Sequence, residues 1–220
     1  MIPARMGSQR LPKKNLRELA GVPLIVHAIR KCKTAGCFDE IVVNSEDAGF
    51  APYAEAEGVR FYQRPEKLGD NNATSEDFVG DFFLNEPCDR LVQVHSIAPL
   101  LTAEEVRDFV KAWDAAGTDV MLSAILDQIE VAYKGEPVNF TFAEKTNSQE
   151  LTPVQRITWS ITGWTRETFL AARAAGRAAT YAGTIGYFPV SSVSGYVVKT
   201  AEDLQVVEAL YGILRQGEAA

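Results

Sequence analysis

Short apolar strands that alternate with amphipathic helices constrain the fold of this chain more than any other feature. The β-branched run at residues 40–44 is typical of a buried parallel strand, and the helix predicted before it, from Leu24, repeats apolar residues at helical spacing. Two more buried strands are predicted at residues 90–95 and 119–125. A short first strand before residue 5, the helix from Leu24 and the strand at residues 40–44 form a βαβ unit, so the sequence predicts an α/β fold with a mostly parallel sheet.

The remaining elements follow from the same patterns and from helix-capping residues. Ser75, Thr102 and Thr200 are the predicted caps, the last two with an acid three positions further on. Helices are predicted at residues 45–57, from 75, at 102–113, at 165–176 and from 200, and further strands at 59–62, 159–164 and 181–190. With 220 residues and 46% hydrophobic content, residues 1–220 can bury one core, and we expect a single domain.

Composition narrows the class of partner. The formal net charge is −7 and the pI is near 5.0, which argues against nucleic acid or an anionic membrane as the main partner. No apolar run approaches the roughly twenty residues that span a bilayer, and no signal peptide precedes the first strand, so we expect a cytoplasmic protein. Cys32, Cys37 and Cys88 have neither metal-type nor redox-type spacing and are interpreted as reduced, structural residues.

Five cations crowd residues 5–17, a stretch that contains no acid although the protein as a whole is acidic. They are Arg5, Arg10, Lys13, Lys14 and Arg17. Gly7 would let the backbone approach a phosphate, and Ser8 adds a hydroxyl and an N–H donor. This basic loop, residues 5–17, is interpreted as a phosphate site, with a solvated basic arm as the alternative. It matches neither a Walker loop nor the GxGxxG fingerprint.

The segment at residues 2–16 reads IPARMGSQRLPKKNL and resembles the opening motif of a known family. That family is the cytidylyltransferases that activate 2-keto sugar acids, namely the sialic-acid-type and Kdo-type synthetases, with the motif I-P-A-R-x-(G/A)-S-x-R-(L/I)-P-x-K-(N/P)-L. Weaker similarity continues over most of the chain. The resemblance implies a three-layer α/β/α, Rossmann-like nucleotide-diphospho-sugar transferase fold. It also implies transfer of CMP from CTP to the anomeric hydroxyl of a 2-keto-3-deoxy sugar acid, with release of pyrophosphate.

The same resemblance implies roles for the basic loop. Arg5 and Lys14 would be catalytic, holding the phosphates together with Ser8, and Gly7 would let the backbone close in. Asn15 would contact the nucleotide. Only four residues precede Arg5, which is short for a first core strand and leaves open whether Met1 is the true start.

A second loop resembles the family's base-binding pattern R-P-x-x-L-x-x-D-x-A-S-S. Arg64, Ala73 and Ser75 are therefore the predicted base contacts. The family's aspartate falls on Asn71, and it is open whether Asp70, next to it, takes its place. For Arg64 the alternative is a surface salt bridge.

Polar residues at the end of the strand predicted at residues 90–95 are candidates for substrate binding, because open α/β sheets bind ligands at the carboxyl ends of their strands. These are Gln93, His95 and Ser96. The resemblance implies that Gln93 orients the sugar acid, while His95 has the alternative of a satisfied strand-end histidine. His27 falls off its helix's apolar stripe and is expected at the surface. Arg156 resembles a family arginine and is a further substrate candidate.

Mg²⁺ is the cofactor that the family resemblance suggests, but the residues that would hold it differ here. The metal-binding aspartates of the family patterns fall on Ile97, Val197 and Lys199. A lysine beside a divalent cation would repel it, so a metal in the usual position is not expected. Lys199 could instead supply positive charge to the triphosphate or to the sugar carboxylate, making it a substrate-binding candidate; an exposed lysine is the alternative.

Residues 127–158 mix aromatic, polar and turn-forming residues without sustained periodicity. The resemblance makes this segment an arm that packs across a homodimer interface and recognises substrate, and a lid is the rival interpretation. Two other functions stay open for the whole chain. One is transfer to a different sugar, and the other is a nucleotide-binding homologue that has lost catalysis, since the family's aspartates are replaced.

Overall fold

The computed structural model describes residues 1–218, which contain six α-helices and eleven strands. The helices are α1 (Leu24–Ala35), α2 (Ala51–Ala56), α3 (Ser75–Asn85), α4 (Ala103–Ala116), α5 (Arg166–Ala174) and α6 (Ala201–Glu218). The strands are β1 (Ile2–Pro3), β2 (Glu18–Leu19), β3 (Val22–Pro23), β4 (Val42–Ser45), β5 (Arg60–Gln63), β6 (Arg90–Val94), β7 (Val120–Asp127), β8 (Ala132–Tyr133), β9 (Glu136–Pro137), β10 (Val154–Thr165) and β11 (Ile185–Pro189).

The central sheet is assembled from two groups of strands. β1, β4 and β5 pair in parallel, and a second group has the order β11-β7-β10-β6. The groups meet where the Val94 amide donates to the Met1 carbonyl at 3.1 Å and the Met1 ammonium donates to the Val92 carbonyl at 2.8 Å. The resulting order is β5-β4-β1-β6-β10-β7-β11. Only β10 runs antiparallel among these strands, which confirms the mostly parallel sheet predicted from the sequence.

Helices cover both faces of this sheet. On one face α1 and α4 bury Ile25, Ile29 and Phe109, and on the other α3 and α5 bury Phe83 and Phe169. The apolar periodicity of the helices therefore has a sheet face to pack against, and burial of each large side chain contributes roughly 1.5–3 kcal/mol. These layers form a three-layer α/β/α fold, which confirms the fold that the resemblance implies.

Two of the three predicted helix caps, Thr102 and Thr200, are confirmed. Thr102 and Glu105 exchange capping hydrogen bonds at 3.1 and 2.9 Å, and Thr200 forms the same box with Asp203. The prediction of Ser75 as a cap is wrong, because Ser75 is the first residue of α3. Thr74 precedes it and donates to the Asp77 carboxylate at 2.8 Å.

Several predicted boundaries are also wrong. The helix predicted at residues 45–57 is only the short α2, since Ser45 continues β4 and Asp47 accepts from the Gly49 amide at 2.7 Å in the intervening turn. β11 is shorter than the strand predicted at residues 181–190. β10 is longer than predicted because it pairs with β7 past a bulge, where Trp159 has a φ of 59°.

The segment at residues 127–158 leaves the sheet where β7 ends and returns as β10. Between the end of β7 and the start of β10, its only strand pairing within the described residues is the β8–β9 hairpin. Large apolar side chains there are solvent-exposed, among them Ile129, Val138, Tyr133 at 67% and Phe142 at 73%. Among residues 1–218, no helix combines the length and apolar character needed to cross a bilayer.

Candidate functional site

Predicted site residues from separate parts of the chain meet at the carboxyl ends of neighbouring strands. Arg5 follows β1, Arg64 follows β5 and His95 follows β6. β4, between β1 and β5, ends at Ser45 and is followed directly by Glu46. This edge of an open parallel sheet is where α/β proteins place ligands, so the sheet order explains why distant residues converge here.

Arg5 ties the basic loop to the predicted base loop. Its Nη1 donates to the Asp70 carbonyl at 3.1 Å and to Asn71 Oδ1 at 3.3 Å. Asn71, at the family's aspartate position, is therefore the neighbour whose side chain touches Arg5. The Asp70 carboxylate instead accepts from the amides of Asn72 and Ala73 at 2.7 and 2.8 Å, which fixes the turn before α3.

Lys14 lies half-buried in a single 3₁₀ turn at Lys14–Leu16. Burial lowers its pKa most, and the guanidinium groups of Arg10 and Arg5 lower it further. The charge of Lys199 acts in the same direction, which places that side chain within electrostatic range. Cations that depress one another's pKa gain from an anion between them, so this corner favours a phosphate or a carboxylate.

Asn15 and Ser96 fix the basic loop to the end of β6. The Asn15 amide donates to the Arg5 carbonyl at 3.5 Å, and the Ser96 hydroxyl donates to Asn15 Oδ1 at 3.3 Å. Gly7 faces open space, since a Cβ built there meets no described atom within 4 Å, and Ser8 donates its amide to the Met6 carbonyl. The ligand contacts predicted for these residues stay predictions.

Arg64 is buried, with 3% of its surface exposed, so the alternative of a surface salt bridge is wrong. Its Nη1 donates to the carbonyl and side chain of Asn44 at 3.1 and 2.9 Å, and its Nη2 donates to the Ala4 carbonyl and to Glu46 at 2.9 Å each. The guanidinium also lies 4.7 Å from the Phe78 ring centre. These contacts hold β1, β4 and β5 together below the site, and the predicted base contact stays a prediction.

Glu46 is a site residue that the sequence interpretation missed. Its carboxylate accepts from the Met6 amide at 2.9 Å, from Arg64 at 2.9 Å and from the Ser45 hydroxyl at 3.3 Å. The available signal is an acid at the end of a buried β-branched strand, but the sequence pattern predicts a helix at residue 46.

Two cavities lie at opposite ends of the strands. One of about 800 Å³ lies between the basic loop and the loop after β5, and its lining includes Gly7, Glu46, Arg64, Gly69 and Asp70. The other, of about 820 Å³, lies at the amino ends, and its lining includes Met1, Glu40, Arg60, Leu91 and Trp113. The first cavity joins the predicted phosphate and base segments.

Gln93 and His95 form a pair at the end of β6. The Gln93 amide nitrogen lies 2.6 Å from His95 Nε2 and donates to it, which requires a neutral ring. Burial lowers the pKa of His95 to about 4, and the charge of Lys14 lowers it as well. Gln93 Oε1 and the hydroxyl of Thr162, its neighbour on β10, are buried and pair with no described residue. Buried polar atoms of this kind normally have a partner, which a ligand or water would supply.

Two residues considered in the sequence analysis, Arg156 and His27, lie apart from the strand-end residues. Arg156 belongs to the arm, where its Nε donates to Asp127 at 2.6 Å, and no hydrogen bond among residues 1–218 links it to the strand-end residues. His27 is half-buried rather than on the surface, because its Nε2 donates to the Leu19 carbonyl at 2.8 Å and its ring packs against Tyr211.

The positions of the family's metal-binding aspartates do come together. The Val198 amide donates to the Ile97 carbonyl at 2.8 Å, which brings Val197 and Lys199 beside Ile97. Their side chains offer no oxygen ligand, and among residues 1–218 no group of three or more His, Cys, Asp or Glu could hold a metal ion. The residues at this corner therefore do not fit Mg²⁺.

Comparisons with known proteins identify the family of this chain. A family model described as cytidylyltransferase matches residues 1–190. A pseudaminic acid cytidylyltransferase of Campylobacter jejuni is 35% identical over 107 residues, 46% of each chain, and an N-acylneuraminate cytidylyltransferase of Streptococcus agalactiae is 27% identical over 194 residues, 83% of this chain and 46% of the relative. The chain thus spans about half the length of these curated relatives.

A solved structure shares the fold. CMP:2-keto-3-deoxy-manno-octonic acid synthetase complexed with CTP superposes with a TM-score of 0.73, covering 96% of both chains at 17% identity.

Proposed function

Since the chain belongs to the cytidylyltransferase family, we propose that it transfers CMP from CTP to the anomeric hydroxyl of a 2-keto-3-deoxy sugar acid. The observation that carries the proposal is the basic loop, which lies at the carboxyl ends of β1 and β6 in an otherwise acidic protein. The named relatives act on sugar acids of the pseudaminic and N-acylneuraminate types. A sialic-acid-like or Kdo-like acid is the proposed substrate class.

The basic loop is the proposed triphosphate site. Arg5 and Lys14 neutralise the phosphate oxygens, Ser8 adds its hydroxyl, and the open space over Gly7 admits the ligand. The anomeric hydroxyl oxygen attacks the α-phosphorus in line. The new O–P bond forms, the bond to pyrophosphate breaks, and the hydroxyl proton passes to solvent. Catalysis is then mainly charge neutralisation and positioning, as in phosphoryl transfer generally.

The cavity of about 800 Å³ beside Gly7 and Arg64 is the proposed base site. It continues from the basic loop, so one nucleotide can place its phosphates on the loop and its base in the cavity. Ala73 and Ser75 follow the turn organised by Asp70 and remain the proposed base contacts.

Gln93 and His95 are the proposed contacts to the sugar acid. The unpaired Gln93 Oε1 can accept from a sugar hydroxyl, while neutral His95 holds the amide in place. The cations of Lys14 and Lys199 suit the sugar carboxylate or the triphosphate. Lys199 is proposed to supply this charge where family aspartates would hold a metal.

A homodimer built through the arm at residues 127–158 is also proposed. Exposed Ile129, Tyr133, Val138 and Phe142 would be covered by a second copy of the chain. Proteins rarely leave several large apolar side chains uncovered on one segment, and burying each one contributes roughly 1.5–3 kcal/mol.

The test is product formation with CTP and a panel of 2-keto sugar acids, monitored as pyrophosphate release and as the CMP-sugar by mass spectrometry. One acid of the panel should give both products. The second candidate, a nucleotide-binding homologue without catalysis, is favoured by Ile97, Val197 and Lys199 at the aspartate positions. It predicts CTP binding with neither product for any acid.

A further inference from the structure

Glu46 lies where the two halves of the candidate nucleotide site meet. One carboxylate oxygen accepts from the Met6 amide of the basic loop at 2.9 Å. The other accepts from Arg64, the first residue of the loop proposed to hold the base, also at 2.9 Å. One side chain thus contacts both loops, which are separated by more than forty residues of sequence.

The turn after Arg64 also packs on this carboxylate. A Cβ added at Gly69 would overlap Cγ and Cδ of Glu46, so only glycine lets the turn approach this closely. With 11% of its side chain exposed, Glu46 is largely removed from solvent. Both loops therefore pack against one side chain, at Met6, Arg64 and Gly69.

The chemistry of these contacts makes them hard to replace. Hydrogen bonds to an ionised group are shorter and stronger than neutral ones, and a buried guanidinium needs a counter-ion. Glu46 is the ion-pair partner of Arg64 among the described residues. Without the negative charge, Arg64 is left buried without its counter-ion, and without the side-chain oxygens the Met6 amide loses its acceptor.

We propose that Glu46 is a positioning residue that sets the separation between the triphosphate and base halves of the site. This inference rests on the proposed function. A ligand that spans both halves, such as CTP, binds well only if their separation is correct. The affinity for inorganic tripolyphosphate, which contacts the basic loop alone, should depend little on this separation.

The binding test uses Glu46→Gln, which keeps the size and removes the charge. Calorimetry should give a loss of CTP affinity of roughly tenfold or more, with tripolyphosphate affinity changed by less than about threefold. Glu57→Gln is the matched control, because Glu57 is 14% exposed and pairs with Arg30 at 2.8 Å away from the site. This control should bind both ligands as the wild type does.

A second measurement needs no nucleotide. In Glu46→Ala the Met6 amide loses its acceptor, so its hydrogen exchange, followed by NMR, should accelerate relative to wild type. Equal losses of CTP and tripolyphosphate affinity in Glu46→Gln, or unchanged CTP affinity, would overturn the inference while the proposed function stands. A wild-type protein that binds no CTP would overturn the proposed function and this inference with it.

Discussion

Replacing Arg5 by alanine should weaken CTP binding far more than it weakens the fold. In the free protein Arg5 makes two hydrogen bonds of 3.1 and 3.3 Å to the loop at Asp70 and Asn71, in an exposed setting. Their loss should lower the free energy of unfolding by no more than about 1 kcal/mol. A hydrogen bond to a charged phosphate contributes roughly 1.5–3 kcal/mol, so CTP affinity should fall about 10-fold to 150-fold.

Calorimetry with CTP and urea unfolding measure the two quantities on the same variants. Arg5→Lys keeps the charge without the fork and should bind CTP with intermediate affinity. Arg30→Ala removes a guanidinium that pairs with Glu57 elsewhere and should leave CTP affinity unchanged. If Arg5→Ala binds CTP as tightly as wild type, the basic loop is not the triphosphate site.

Three further predictions concern charge, assembly and pH. Lys199→Ala should weaken CTP binding, whereas the control Lys111→Ala should not. Wild-type CTP binding should persist in excess chelator. If chelator abolishes CTP binding, Lys199 does not supply the charge in place of a metal. Light scattering of the wild type should give twice the mass of the chain, and the double variant Phe142→Ser, Tyr133→Ser should shift that mass towards the monomer. A wild type that is monomeric at micromolar concentration would favour a lid as the role of residues 127–158. Because the pKa of His95 falls to about 4 in the fold, the unfolded chain binds its proton first, and stability should decline as pH drops from about 6.5 towards 4. His95→Gln should make the free energy of unfolding, measured by urea titration, depend less on pH, and an unchanged dependence would refute the neutral His95 ring.

Local sequence patterns predicted much of the fold because their causes are local. Thr102 with Glu105 and Thr200 with Asp203 cap helices through contacts three residues apart, which a sequence displays directly. Buried strands such as β7 are predicted by their β-branched and apolar runs.

The errors arise where contacts between distant segments decide. For Arg64 the sequence leaves a surface salt bridge open beside the predicted base contact, because its partners Ala4 and Asn44 lie sixty and twenty positions away. The sequence pattern places Glu46 in a helix, whereas Ser45 pairs with Gln63 of β5 and Asp47 accepts from the Gly49 amide in the turn that follows β4. Trp159 gives no sign of its left-handed backbone, which the bulge between β7 and β10 imposes.

The most direct measurement of the central claim is a crystal structure of the protein with CTP. The account predicts the triphosphate against Arg5 and Lys14 on the basic loop, and the base in the cavity beside Arg64. A nucleotide bound in the cavity beside Met1 and Trp113, at the amino ends of the strands, would contradict it.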